Sequence, residues 1–504
     1  MKSIFKKLVH SEQTPENNCD IDMEYFHNEK DPKDNLETTP PSDEKIRIPC
    51  IWAFEVFPPE YIGNFYESID RLGWLDEKID SLDDFQDTLL EMRHRVGSSG
   101  WLNLGVIVDK SDKRHWINPR KANLPKGVSY IRASIFQAIP STTMLICQFN
   151  FEDDLANILE ESLQKPYKTY TKKHKRGYRI IGVEHQKKSA VDLNKEYLNS
   201  ICATWLKENF AGLYASDAIR DEHPVCMFLT LEKNTPFVNN QSLHNYMAIL
   251  DISQQWDVWI SDKLEGLYLQ FTKDKNAIRR SLLLTGNIHH ILQNEDIEHY
   301  GETKEARVVN YFQYLDDTLG TWVLGELLDS YIYKITDLRD LYGKMDMNNL
   351  HQSIKTITNL DHEVLKSQKN IIPFMIELKN YCNNTSSFIH NIYEFKQREQ
   401  GRFTRGNLFS SIRESMIQRI DLLIENEKIL KETANATRQI STTISSDNVA
   451  ETNMRLQKSM RTMTIVMLIL TVISTCATII SIREMEPIKS MITQITTLYH
   501  NIQK

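Results

Sequence analysis

The spacing of hydrophobic and polar positions changes three times along the chain, and each change predicts a different kind of structure. Through residue 45 apolar residues are sparse and aperiodic, and Pro15, Pro32, Pro40 and Pro41 sit among many Asp and Glu. Such a segment cannot bury enough apolar surface to offset its ordering entropy, so 1–45 is predicted to be a disordered acidic tail. From about 46 to 240, short apolar runs alternate with helically spaced stretches. Residues 48–57, 101–109, 130–139, 144–151 and 178–183 predict strands; 62–72, 82–95, 151–163 and 192–210 predict helices. This is the pattern of an α+β domain. From 241 to 405 the spacing turns helical. Trp256, Trp259, Ile260, Leu264, Leu267, Tyr268 and Phe271 mark one helix face, and Leu315, Leu319, Trp322, Val323, Leu327, Tyr331 and Ile335 another. Further helices are predicted over 350–379 and 385–399. A stalk helix is expected over 406–462, with a seam at Ile412, Met416, Ile420, Leu423, Ile424 and Leu430 and a more polar stretch over 435–456 that carries a weaker coiled-coil signal.

The stalk leads into twenty uncharged residues, from Met463 to Ile482. At 1.5 Å per residue this run is about 30 Å long, the thickness of a hydrocarbon core. A soluble helix of that length normally carries a polar stripe, so a single transmembrane helix is predicted over 463–482. Thr464, Thr471, Thr475 and Thr478 interrupt its aliphatic surface, as suits helix packing in lipid. Residues 483–504 are too polar for a second span and read as a short amphipathic tail.

Composition adds compartment. The seven cysteines include no C-x-x-C pair and are too sparse for a disulfide framework, which predicts a reducing compartment. Residues 1–10 are basic but lack the apolar core of a secretory signal. The expected arrangement is a single-pass membrane protein with its large N-terminal region in the cytoplasm. The net charge of −8 argues against general nucleic-acid binding.

No catalytic motif is present. There is no glycine-rich phosphate loop, no H-E-x-x-H, no G-x-S-x-G and no zinc-type cysteine spacing, and glycine is scarce at 17 of 504 residues. The strongest chemical signal is 165–179, which holds Lys165, Lys168, Lys172, Lys173, Lys175, Arg176 and Arg179 without an acid, interleaved with Tyr167, Tyr170 and Tyr178. Cations of this kind engage phosphates while tyrosines stack on bases. A nucleotide or another small anionic ligand, or an anionic lipid surface, fits this pattern; so does a solvated loop. Glu184 and His185 stand at the end of a predicted strand, where neighbours point to opposite faces and do not converge. His289, His290 and His299, near Asp296 and Glu298, lack tight metal-ligand spacing.

The layout as a whole resembles the CorA-like group of divalent-cation channels. An α/β domain, a helical middle and a long helix enter a span beginning Met460-Arg461-Thr462-Met463-Thr464-Ile465-Val466, and the likeness is sequence-like only near 455–480. The group's Gly-Met-Asn signature is absent, Arg483-Glu484-Met485-Glu486-Pro487 standing in its place, and so is its second span. The resemblance implies a homo-oligomer contacting membrane lipid, with Mg2+ as the group's ion, and extends to membrane effectors of antiviral signalling. The expected function is a membrane-anchored sensor or effector, acting through oligomerisation and membrane perturbation. The alternatives are a divergent cation channel lined by Thr464, Thr471, Thr475 and Thr478, and an anchored enzyme with an unrecognised site.

Overall fold

The structure is a computed structural model. It describes residues 23–74, 82–94, 100–114, 116, 119–174, 177–216, 223–237, 245–253, 258–273, 280–344, 350–384, 395–397, 406–484 and 486–502. In chain order these form β1 (Met23–Tyr25), α1 (Asp31–Thr38), β2 (Ile46–Phe57), α2 (Ile62–Arg71), α3 (Leu82–His94), β3 (Gly100–Asp109), β4 (Arg120–Ala122), β5 (Val128–Ile139) and β6 (Thr142–Phe151). There follow α4 (Asp153–Ala156), α5 (Ile158–Gln164), β7 (Tyr170–His174), β8 (Gly177–Ile181), α6 (Val183–Asn209), α7 (Leu213–Ser216), β9 (Val225–Leu231), α8 (Tyr246–Ile249), β10 (Val258–Ser261), β11 (Leu267–Lys273), β12 (Arg280–Asn287) and α9 (Ile288–Ile291). The remainder is α10 (Lys304–Tyr311), α11 (Asp316–Gly343), α12 (Leu350–Asn383), β13 (Phe395–Gln397), α13 (Leu408–Glu484) and α14 (Glu486–Ile502). Two compact units emerge: Met1–Ile335 with Leu365–Asn426, and Thr336–Val364 with Glu427–Lys504.

The first unit is built on a ten-stranded sheet of order β13-β10-β11-β12-β9-β2-β6-β5-β3-β4, antiparallel except at β12–β9 and β3–β4. Its middle strand, β2, is buried along nearly its whole length. A strand covered on both faces reads as a continuous apolar run rather than an alternation, which is why IPCIWAFEVF shows no polar face. On one side Ile51, Ala53 and Phe57 join Ile131, Ala133, Leu145 and Phe149 beneath Val191, Leu198 and Trp205 of α6. Trp205 meets Phe149 edge-on at 5.6 Å. On the other side Trp52 and Phe228 pack on Phe312 at 6.5 and 4.9 Å, and Phe54 meets Trp322 of α11 at 5.9 Å.

Two devices seat α11 on the sheet. Gly320 brings the helix so close to β5 that a Cβ there would lie 2.4 Å from the Phe136 ring. At the start of α11, Asp316 accepts from Arg132 at 3.0 Å and from Ser134 at 2.8 Å. Burial raises the Asp316 carboxyl above its ordinary range, although Arg132 and Ser134 pull it down.

The second unit gathers the end of α11, the start of α12, and α13 from Glu427 onward. Tyr342, Ile357, Val364, Leu430 and Ala434 are buried there. Arg438 forks onto Asp361 at 2.8 and 2.7 Å, and the Tyr342 hydroxyl donates to the same carboxylate at 2.5 Å. One group from each of three helices thus meets at a single point. Burial opposes the charge on Asp361, but the Arg438 and Tyr342 bonds prevail and hold its carboxyl below the ordinary range. α13 runs unbroken for 77 residues, about 115 Å at the helical rise, with neither Gly nor Pro inside it.

The α+β domain followed by a helical region matches the sequence reading, with three corrections. Residues 23–45 are not a tail: β1 pairs with β7, and Asp31 and Glu44 are buried. Glu44 accepts from the backbone of Glu232, Lys233 and Asn234 at 2.7, 3.1 and 2.9 Å. The sheet does not end near 240. The helix face predicted from Trp259 to Phe271 lies instead on β10, β11 and the turn between them, because Gly266 at φ +80° turns the chain between two runs of β-branched and aromatic residues. Of the helix predicted over 385–399, residues 395–397 form β13, paired with β10, and the others lie outside the described residues. Residues 1–22 and Trp256 also lie outside them.

Gly320→Ala is expected to destabilise the sheet unit by about 1–3 kcal/mol, the usual cost of overpacking, measured by urea unfolding. Asp361→Asn is expected to cost the helical unit about 1 kcal/mol at pH 7. That deficit should vanish as pH falls through the depressed Asp361 value, because there the parent loses its charge too; thermal melts between pH 7 and 3 read it.

Candidate functional site

The basic segment is held from behind by the acidic helix α1, so its backbone is fixed, while Lys165, Lys168, Lys172, Lys173 and Arg179 are exposed. Asn35 brackets Tyr167, accepting from its N–H at 2.9 Å and donating to its carbonyl at 2.8 Å. Asp31 accepts from the Thr169 N–H at 2.9 Å and from its hydroxyl at 2.5 Å. Gln186 of α6 donates to the Lys168 carbonyl at 2.8 Å. Beneath them Lys187, fully buried, donates to Thr39 Oγ1 and the Leu163 carbonyl, both at 2.7 Å. Burial lowers the Lys187 ammonium from its ordinary 10.5 to about 8.

Beyond this anchor, β1, β7 and β8 form a separate three-stranded sheet. Register sorts the cations. Lys172 lies directly opposite Arg179, and Lys173 opposite Tyr178. Facing residues of an antiparallel pair share a face, so Lys172 and Arg179 stand together beside Tyr25 and Tyr170, whose rings are 5.5 Å apart. Burial, with a contribution from Tyr25, raises the Tyr170 hydroxyl. Lys173 shares the other face with Tyr178 and Ile180, exposed by 69% and 66%. Lys165 sits over the Tyr167 ring at 5.9 Å, and Lys165 and Lys168 are exposed on the loop before β7. Lys175 and Arg176 lie outside the described residues. The described cations are therefore not one cluster; the geometry joins Lys172 to Arg179 and sends Lys173 to the opposite face.

Glu184 and His185 occupy the first turn of α6, not a strand end. His289 lies 3.7 Å from Glu232, but among the described residues no set of three His, Cys, Asp or Glu side chains is placed to hold a metal ion. One buried and one half-buried polar arrangement escaped the sequence reading. Glu55 of β2 accepts from the N–H groups of Tyr214 and Ala215 at 2.8 and 2.9 Å and lies 2.8 Å from His223 Nε2. Asp251, at φ +70°, is bridged by Lys188 and Lys195 of α6. Their members lie far apart in sequence, so no local spacing announces them.

The other candidate element is the apolar end of α13. Among the described residues one helix is long and apolar enough to cross a membrane, with a mean hydropathy of 2.4 over its most apolar window and none of that window buried. Full exposure separates it from the core helix of a soluble domain. Thr464, Thr471, Thr475 and Thr478 each donate to the carbonyl four residues back, at 2.7–2.8 Å, so the helix satisfies these hydroxyls itself. Met463 is exposed; Ile482 lies in the same helix.

These parts define a mixed α/β sheet protein with a helical region and one apolar C-terminal helix. No protein-family model matches the chain, and no curated protein matches it in sequence.

The Lys187 ammonium sets a pH dependence. Between about 8 and 10.5 the unfolded chain holds a proton that the folded chain has released, so stability rises with pH across that window. Lys187→Met is expected to flatten this rise, seen as melting temperatures that no longer climb between pH 7.5 and 10.

Proposed function

We propose that this protein is a membrane-anchored sensor or effector, in which the β7–β8 ribbon takes a phosphate-bearing ligand and α13 carries the consequence to the bilayer. The observation that carries the reading is the pairing of Lys172 with Arg179 beside Tyr25 and Tyr170 on a ribbon pinned from behind by α1. Two cations at one register position offer a divalent anion a forked set of donors, and the adjoining rings offer a surface to a base. A fixed backbone lowers the entropy cost of binding. Anchoring rests on the exposed apolar surface of α13 after Met463. The large N-terminal region is assigned to the cytoplasm because its cysteines Cys50, Cys147, Cys202, Cys226 and Cys382 are buried and unpaired. Self-association of the stalk would couple ligand to membrane. An antiviral setting rests on the resemblance of the layout to CorA-like effectors.

The test uses full-length protein in phosphatidylcholine vesicles loaded with a self-quenched dye, titrated with ATP as the probe. Binding is expected, with leakage rising as sites fill. The Lys172→Ala/Arg179→Ala double variant should bind at least tenfold more weakly, from the loss of two charge-assisted contacts of about 1.5–3 kcal/mol each. Equal affinity of parent and double variant would remove the ribbon from consideration.

A further inference from the structure

We infer that α13 carries an interface for a second copy of this chain, parallel and in register, running without interruption from the aqueous stalk into the apolar segment. This deepens the self-association proposed above by naming its surface, and it holds whether or not the ribbon binds a ligand.

Within the second unit, Leu430, Ala434, Thr437 and Ser441 bury one seam of α13. Eight residues after Ser441, one more than a heptad, a second seam begins. Val449, Leu456, Met463 and Leu470 recur every seven residues, and Asn453, Met460, Met467 and Ser474 interleave at the alternate spacing. This is the a/d pattern of a left-handed coiled coil, with Asn453 at an a position. The seam is uncovered: Val449, Leu456, Met460 and Met463 are 57%, 55%, 67% and 70% exposed. Val449, Leu456 and Met460 precede the uncharged run, where lipid tails would not cover them; a protein surface would.

The charges flanking the seam leave it open to a second copy. The positions flanking the aqueous seam are Ala450, Thr452, Gln457 and Ser459, all uncharged. Glu451, Arg455, Lys458 and Arg461 fall on the outer positions, and Arg455 is engaged there with Glu451 at 2.7 Å. Charged flanks choose unlike partners and penalise like ones; neutral flanks let identical helices meet. Copies anchored by the same end enter a membrane in the same direction, which makes the pairing parallel and sets Asn453 against Asn453. Such a polar layer fixes register and favours two strands at some expense in stability. Further along, Ser474, Ala477 and Ser481 continue the seam with small residues that allow close helix approach in lipid.

The experiment is disulfide scanning of the full-length chain in phosphatidylcholine vesicles, with Cys19 and Cys476 replaced by Ser. Single cysteines replace each residue from Asn453 to Met463 in turn. Mild oxidation is expected to give dimers with maxima at 453, 456, 460 and 463, at least fivefold above 455, 458 and 461. Uniform yields, or maxima on the outer face, would overturn the interface. Mass photometry in detergent provides a second readout: a dimer for the parent, and a shift toward monomer for Asn453→Asp, which sets two carboxylates face to face. A monomeric parent overturns the proposal. The Lys172→Ala/Arg179→Ala variant should cross-link like the parent, so failure of the seam and failure of the ribbon are distinguishable.

Discussion

Strand β2 imposes the constraint from which the rest of the sheet unit follows: a central strand with no solvent side must be roofed twice. α6 supplies one roof and α11, with Phe312, the other. Each roofing helix also has a second task. The start of α6 carries Gln186, which holds the Lys168 carbonyl of the basic segment, and Lys187, which holds the Leu163 carbonyl just before it. The end of α11 carries Tyr342, which meets Asp361 in the helical unit. The sheet core therefore fixes where the basic ribbon begins, although the ribbon is not part of it.

Polar groups do the positioning inside this frame. α1 is short, and its hold on the ribbon is a set of side chains that satisfy backbone groups of another segment: Asn35 on Tyr167, Asp31 on Thr169. Removing one such partner leaves a buried donor or acceptor unmet, which costs more than the bond contributes when made. An acidic segment beside a basic one could have met it through surface ion pairs. It meets it through directional bonds to the main chain instead.

Much of the architecture was legible because it rests on local pattern. The strands β2, β5 and β6 are long and strongly apolar, and the run after Met463 stands out by its length and lack of charge. What escaped rests on distant partners. Residues 23–45 look like a tail because their order comes from Tyr167, Thr169 and the 232–234 turn, all more than 100 positions away. The region 258–273 looked helical because its aromatic spacing satisfies both periods, and only the Gly266 turn and the pairing with β12 decide between them. In the basic segment the composition was visible but the sorting was not. Lys172 and Lys173 are neighbours in sequence and stand on opposite faces, a distinction that depends on strand register with Arg179 and Tyr178.

The threonines of α13 return their protons to their own helix, Thr464 to Met460, Thr471 to Met467, Thr475 to Thr471 and Thr478 to Ser474. In oil an unmet hydroxyl is costly, and a helix that meets its own has no need of a neighbour to dissolve. In the membrane-anchored, self-pairing arrangement proposed above, arrival and assembly would then be separate events: a solitary chain would enter lipid first, diffuse, and find its match by collision in two dimensions, so that the amount of protein per unit of bilayer would decide how much of it is paired.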